Sequence, residues 1–395
     1  MPQVTRRRRL LSVAHSYVVA LNRRLAHEMA RIGSDSWEVT ALAPSFVTGD
    51  LRPIHVEAEP DAPSRLLIAP ARLTRIPQLF FYGTRLRKVL SERWDLVHCW
   101  QEPYVVAGGQ VAWWTNRNSA LVFYTFQNIK KNYPPPFRSI ELYCLERCSG
   151  WIASGYSVAE TQLARGYSAK PHRVIPLGVD LNKFFPDTAA RKATLVHLNW
   201  DDNGPPVIGC LGRFVEEKGH RLLMSVLGRL RRPWRALFVG SGPLESELRS
   251  WAATRNGQVR IVTGVTHEQV PAYLNAMDVM CAPSQTTSRW REQFGRMLVE
   301  AFACGVPVVA SDSGEIPHVV DDAGVIVGEK DEAGWVQALD RLVEDAAYRR
   351  TLTALGLERA RAVYPWPVVA RQHLDFFGEL LDTSGRILKE NDQSA

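Results

Sequence analysis

The 395-residue chain has no apolar run of about 18 residues, so it offers no candidate for a membrane-spanning helix. A secretory leader is not expected either. The basic run Arg6-Arg7-Arg8-Arg9 leads into Leu10-Leu-Ser-Val-Ala, which is short and stops at His15. Cysteine is sparse and unpatterned: positions 99, 144, 148, 210, 281 and 304 lie mostly in apolar stretches. Cys144 and Cys148 are one helical turn apart, with no second pair and no His at zinc spacing. Buried free thiols in a reducing cytoplasm are therefore expected, and a metal site is not. A composition of 46% hydrophobic and 23% charged residues excludes a disordered chain. No nucleic-acid-binding signature is present either, although the net charge is +7. That balance fits an acidic ligand or an anionic membrane surface. Apart from the N-terminal run and Arg229–Arg235 the cations are dispersed. Arg6–Arg9 reads as a solvated terminus, with contact to anionic lipid as the sharper alternative.

What the chain does have is length for two cores and a regular alternation of strand and helix patterns. Strands are expected at Leu10–His15, Trp37–Ala43, Leu66–Ala69, Asp95–Trp100, Ala120–Phe126, Trp151–Ser154 and Arg173–Pro176. Helices are expected between them, among them 18–32, 77–91, 140–148 and 158–165. The alternation restarts at Val207–Leu211 and runs through Ala236–Val239, Gln258–Val262, Asp278–Ala282, Val308–Ser311 and Gly324–Val327. Such alternation argues for parallel sheets covered on both faces by helices. The fold class is α/β, two doubly wound Rossmann-like domains in tandem. The expected boundaries are 1–190, a linker at 191–205 marked by Asn203-Gly-Pro-Pro206, and 206–365. A last helix at 366–385 is expected to return to the first domain.

Chemistry concentrates in the second domain. Gly212-Arg213-Phe-Val-Glu-Glu-Lys218-Gly219 follows a strand and opens a helix, which is where anionic ligands bind in a parallel sheet. Gly212 permits close approach of backbone, Arg213 can clamp phosphate oxygens, and Lys218 can act as a point charge. Gly240-Ser-Gly242 forms a second tight turn. Glu292-Gln-Phe294-Gly295 precedes an apolar helix carrying Glu300. An offset of eight residues is expected to bring the two carboxylates to nearby faces at different heights. Carboxylates near the mouth of an α/β sheet suit the hydroxyls of a sugar.

Taken in order, Gly212-Arg…Glu-Lys218-Gly219, Gly240-Ser-Gly-Pro243, Ala282-Pro-Ser284, Glu292…Glu300 and Ala303-Cys-Gly-Val-Pro307 resemble the retaining glycosyltransferases of family 4, which have the GT-B fold. The first domain resembles them mainly in layout, through Asp95-Leu-Val-His98 and Val174-Ile-Pro-Leu-Gly-Val-Asp180. The resemblance implies a nucleotide-diphospho-sugar donor (UDP- or GDP-sugar) held in a cleft between the domains, and transfer to a saccharide or lipid-linked acceptor in glycoconjugate biosynthesis. It implies Arg213 and Lys218 on the diphosphate, Glu300 on the ribose, Glu292 on the donor sugar, and the backbone of Phe294 and Gly295 beside them. Gly212, Gly240 and Gly242 complete the donor set. It implies no cofactor and no metal. A cytoplasmic enzyme, peripheral on an anionic membrane, would fit such an acceptor.

The first domain departs from the family. Ala14-His15-Ser-Tyr17 replaces a Gly-Gly loop, and Thr125-Phe-Gln127-Asn128 replaces a segment with a catalytic-side His. Gln127 is therefore the expected substitute, able to hydrogen-bond a sugar but not to carry a proton charge. His15, His98 and Glu102 are the acceptor-side candidates. A nucleotide-sugar epimerase of the same fold, or a partner subunit without catalysis, is the alternative reading.

Overall fold

The computed structural model describes residues 6–48 and 53–393. It divides into two compact units. One runs to Pro176 and resumes at Trp366, and the other is Leu177–Pro365.

The first unit is built on a seven-stranded sheet, ordered His172–Val174, Gly150–Ala153, Ala120–Thr125, Leu96–Cys99, Arg8–Val13, Trp37–Pro44, Arg65–Ala69. All its pairings are parallel. The central strands are buried along their whole length, as Leu96–Cys99 and Ala120–Thr125 show. That is why they read as continuous apolar runs and not as alternating ones. Trp151 and Phe123 fill one side of the sheet. On the far side of the chain's order, the helix Trp366–Gln393 belongs to this unit. Phe377 meets Trp37 edge-on at 6.3 Å, and Arg8 pairs with Asp382 at 2.7 Å.

The second unit repeats the plan with six strands: Val259–Val262, Arg235–Val239, Val207–Leu211, Val279–Ala282, Val308–Ser311, Gly324–Val327, again all parallel. In both sheets the first strand lies between the second and the fourth. The strand order reverses there, and loops leaving the carboxyl ends of those neighbours splay apart into a crevice.

Several expectations need correction. The proposed linker 191–205 is part of the second unit. Asp187 caps the helix Thr188–His197 by accepting from the backbone of Ala189 and Ala190 at 2.9 Å. Leu195, Leu198 and Trp200 are buried in the core. Polar residues on its outer face concealed an amphipathic helix. The unit starts earlier than expected, because Val179 bridges to Pro365 and Phe184 is buried. The helix expected at 18–32 is α-helical only over Arg24–Ile32, after two 3-10 turns. The one expected at 77–91 is a short strand, Phe81–Tyr82, followed by the helix Thr84–Ser91. The N-terminal basic run is largely paired: Arg6 with Asp95, Arg8 with Asp382, Arg9 with Glu92. Among the described residues no helix is long and apolar enough to cross a membrane.

His98 is a core residue, not an acceptor contact. It is 0% exposed and stacks on Tyr124, with His373 at 5.4 Å and Phe377 at 5.2 Å. Burial holds its pKa well below the ordinary 6.5, and holds that of His373 near 4. Both are neutral when folded and can gain a proton only on unfolding. As pH falls below about 6.5 the unfolded chain binds more protons, so stability falls. By pH 5 the loss should reach roughly 2 kcal/mol for His373, with His98 adding a loss of the same sign. Denaturant unfolding of the wild type and of His373→Gln between pH 7.5 and 5 measures it. The variant should lose about 2 kcal/mol less over that span, and an unchanged pH dependence would contradict the assignment.

Candidate functional site

In the second unit the strand Val207–Leu211 ends at Gly212, and Val279–Ala282 ends at Pro283. These are the two neighbours at which the strand order reverses. Lys218, from the first loop, donates to Glu292 Oε2, from the second, at 2.5 Å. Ser284 Oγ donates to the same oxygen at 3.0 Å. Trp290 lies 5.2 Å from the Lys218 ammonium, a cation–π contact. Residues 74 positions apart in the chain thus form one charged cluster. Lys218 keeps 15% of its side chain exposed and Glu292 9%, so the pair is accessible to a ligand yet partly withdrawn from water. Partial burial strengthens the attraction between them and raises the cost of leaving either charge alone.

The loops approach so closely that only glycine fits at certain positions. Gly240 has φ 155°, and a Cβ there would stand 1.8 Å from the Gly212 carbonyl oxygen. Gly242 packs against the Phe214 backbone in the same way. These two glycines are thus explained by loop packing, without a ligand. Gly212 differs. Its φ is 150°, but a Cβ would find nothing nearer than Lys218 Cε at 4.0 Å. Its backbone borders open space beside the lysine. Arg213 is exposed and has no ion-pair partner among the described residues.

Glu292 lies before the helix Arg296–Ala303, so a helical offset between it and Glu300 does not apply. Gly295, with φ 80°, begins that helix, and Phe294 is buried against Tyr364. Both residues are buried, and the Phe294 side chain belongs to the core. Glu300 is 5% exposed and bonds His267 at 3.1 Å. Lys183 in turn lies 2.7 Å from His267 Nδ1. Lysine can only donate, so Nδ1 is the acceptor and Nε2–H donates to Glu300. The chain Lys183–His267–Glu300 thus fixes one imidazole tautomer and orients the carboxylate. Neither Lys183 nor His267 stood out in the sequence. Glu300 was legible from its helix, but the partners arrive from loops 33 and 117 residues away. Ser284 belongs to the Ala282-Pro-Ser284 motif, whose spacing alone gives no sign of the bond to Glu292.

In the first unit the corresponding loops follow Val13 and Cys99. They contribute His15, Gln101 and Glu102 to a pocket of about 300 Å³, whose wall also includes Thr74, Phe80 and Tyr104. Gln101 donates to the Tyr82 hydroxyl at 2.9 Å, which leaves its Oε1 for His15 Nδ1 at 3.0 Å. His15 keeps surface open to solvent, while the protein around the ring lowers its pKa. Its Nε2 is then an acceptor for a hydroxyl. Glu102 has a raised pKa through burial, and its two oxygens accept from Thr125 Oγ1 at 2.6 Å and Phe126 N at 2.7 Å. It braces the loop after Ala120–Thr125 more than it offers itself to a ligand.

Gln127 is 7% exposed and internally committed. Its amide donates to Tyr104 and Tyr133, each at 3.1 Å, and accepts from Ile129 N. The two tyrosine rings stack at 4.1 Å. In this arrangement Gln127 holds Tyr104, a pocket wall, in place.

Two family descriptions match the chain in sequence order: "Glycosyltransferase Family 4" over residues 18–183 and "Glycosyl transferases group 1" over 205–345. A GDP-mannose-dependent monoacylated alpha-(1-6)-phosphatidylinositol monomannoside mannosyltransferase of Corynebacterium glutamicum is 32% identical over 205 residues, covering 50% of this chain and 54% of its own. A D-inositol 3-phosphate glycosyltransferase of Salinispora tropica is 31% identical over 249 residues, covering 56% and 50%. The chain thus spans about half the length of the curated relatives it matches. The solved sucrose-phosphate synthase of Thermosynechococcus elongatus shares the fold over 95% of this chain and 100% of its own, with TM-score 0.72 and 23% identity. Anabaena HepE, solved with UDP and glucose, does so at TM-score 0.70 and 17% identity, over 94% and 100%. With its two parallel α/β units and both descriptions matched in order, the chain belongs to glycosyltransferase family 4, group 1 type, and has the GT-B fold.

Proposed function

We propose that this chain transfers a hexosyl group, with retention, from a nucleotide-diphospho-sugar to a saccharide or lipid-linked acceptor in glycoconjugate synthesis. The observation that carries the reading is the Lys218–Glu292 cluster beside the open backbone of Gly212, at the reversal of strand order. Departure of the diphosphate breaks the bond from the sugar C1 and leaves negative charge on phosphate oxygen. Arg213 and Lys218 neutralise that charge, as preorganised cations in a partly dehydrated site do. This is the part a divalent ion plays in other transferases, and the reading assigns no metal here. Oxocarbenium character develops on the sugar, beside which Glu292 accepts from a hydroxyl. The acceptor oxygen bonds C1 on the face being vacated, and its proton passes to the departing phosphate oxygen. No protein base is required.

Glu300, oriented by His267, accepts from the ribose hydroxyls. GDP- and UDP-sugars are the donors to test first, since relatives of this chain are named as GDP-mannose-dependent. The first unit's pocket takes the acceptor. Its described wall has aromatic faces, amides and hydroxyls but no lysine or arginine. That set suits an uncharged sugar or polyol. A lipid-linked acceptor would place the enzyme peripherally on an anionic membrane.

A thermal-shift screen against UDP-, GDP-, ADP- and dTDP-sugars tests the donor assignment. One nucleotide family should raise Tm in the wild type through binding linkage. Lys218→Ala should abolish the shift. Glu300→Ala should shrink it, by an affinity loss of about 1–3 kcal/mol for a charged hydrogen bond. His267→Ala should show a smaller loss of the same kind. Wild-type shifts in both Lys218→Ala and Glu300→Ala would overturn the site.

Glu292→Gln should separate binding from chemistry. It frees Lys218 from its counter-charge, so the free nucleoside diphosphate should bind at least as tightly as to wild type. Transfer should fall by on the order of 100-fold or more, as when a transition-state contact is lost. Equal losses in diphosphate binding and in transfer would argue against Glu292 touching the sugar.

A further inference from the structure

The charge balance of the first unit fails in one stretch. Residues 62–91 contain Arg65, Arg72, Arg75, Arg85, Arg87 and Lys88, and no Asp or Glu. All six cations are exposed. None has a carboxylate partner among the described residues, in contrast to Arg6, Arg8 and Arg9. Within the stretch, Ala71–Arg72 and Phe81–Tyr82 pair as an antiparallel ribbon, and residues 73–80 connect them. Phe80 and Tyr82 root the ribbon in the core at 4% and 1% exposure. Its connection behaves differently: Leu73, Ile76 and Leu79 stay 52%, 44% and 39% exposed. Leu73 also holds a left-handed backbone, φ 52°, which costs a non-glycine residue about 1 kcal/mol or more. Just beyond, the helix Thr84–Ser91 buries Leu86, Val89 and Leu90 and leaves Arg85, Arg87 and Lys88 in solvent.

We propose that the ribbon 71–82 is a docking surface for an anionic lipid bilayer. Leu73, Ile76 and Leu79 enter the boundary between headgroups and acyl chains, while Arg72 and Arg75 meet lipid phosphates. Arg85, Arg87 and Lys88 add to the attraction. Charge complementarity selects the occupant. A nucleic acid would match the cations but leave three aliphatic side chains in water, whereas a bilayer covers both. The ribbon also supplies Thr74, Pro77, Gln78 and Phe80 to the wall of the 300 Å³ pocket. Seating it on a membrane brings that pocket to the lipid surface, where the headgroup of a lipid-linked acceptor would enter. This last step rests on the transferase reading; the docking surface does not.

The test is co-sedimentation of the full chain with phosphatidylcholine vesicles, with and without phosphatidylglycerol. The wild type should pellet only with the anionic vesicles, and less so as salt rises. Arg72→Gln/Arg75→Gln should weaken binding roughly 30-fold, from about fivefold per charge. Ile76→Ser/Leu79→Ser should weaken it on the order of 10-fold or more and remove what binding survives high salt. Arg7→Gln, on the N-terminal run, should change little. Both double variants should keep the nucleotide-sugar thermal shift, since none of these side chains lines the pocket or the donor site. The proposal fails if the wild type ignores anionic vesicles, if both double variants bind like wild type, or if an oligonucleotide displaces the vesicles. Absent vesicle binding with an intact donor shift sinks the docking surface alone. Vesicle binding without any donor shift sinks the transferase reading alone.

Discussion

Parallel pairing is the constraint from which the placement of every chemical group follows. Parallel neighbours cannot be joined by tight hairpins, so each strand is followed by a crossover, and all carboxyl ends fall on one edge of the sheet. In both units the first strand lies between the second and the fourth. The loops after those central strands leave in opposite directions and open a crevice that needs no further device. Lys218, Ser284 and Glu292 stand at this position in the second unit. His15, Gln101 and Glu102 stand at the equivalent position in the first. One topological rule, applied twice, separates a site rich in charge from one rich in amides, hydroxyls and aromatic faces.

Within the second unit the charges are held against one another. Lys218 is balanced by Glu292 and Lys183 by Glu268, while Glu300 accepts a hydrogen bond from His267. An unpaired charge at such partial burial would cost several kcal/mol. The pairs therefore keep the ligand-free site stable while leaving polar atoms oriented. In the proposed reaction an incoming diphosphate would exchange one anionic partner of Lys218 for another. Such exchange needs little reorganisation, which is what an electrostatic catalyst requires.

Four histidines show how burial sorts one residue type into different tasks. His98 and His373 are sealed among aromatic rings and stay neutral as packing elements. His15 is at a pocket wall with one nitrogen committed to Gln101. His267 bridges a cation and a carboxylate. The arginines divide similarly. Arg6, Arg8 and Arg9 are consumed by nearby carboxylates, whereas those of the ribbon and its following helix meet solvent in a stretch from which acidic residues are absent.

By itself the sequence determined the tandem α/β plan, most strand positions, and the motifs Gly212–Gly219 and Glu292…Glu300, whose loops meet at one sheet edge. Those signals are local: apolar runs for strands buried on both faces, glycines where loops turn, and charged residues just past strand ends. Only the tertiary structure decided the rest. It assigned 188–197 to a capped helix of the second unit, because the buried face of that segment was spaced among polar residues. It gave His98 to the core and Gln127 to a pair of tyrosines, since burial and hydrogen-bond partners depend on residues far away in the chain. It joined Lys218 to Glu292 and His267 to Glu300 across 74 and 33 positions. Pairings of that kind arise when separate loops converge at one sheet edge, and no spacing along a single segment records them.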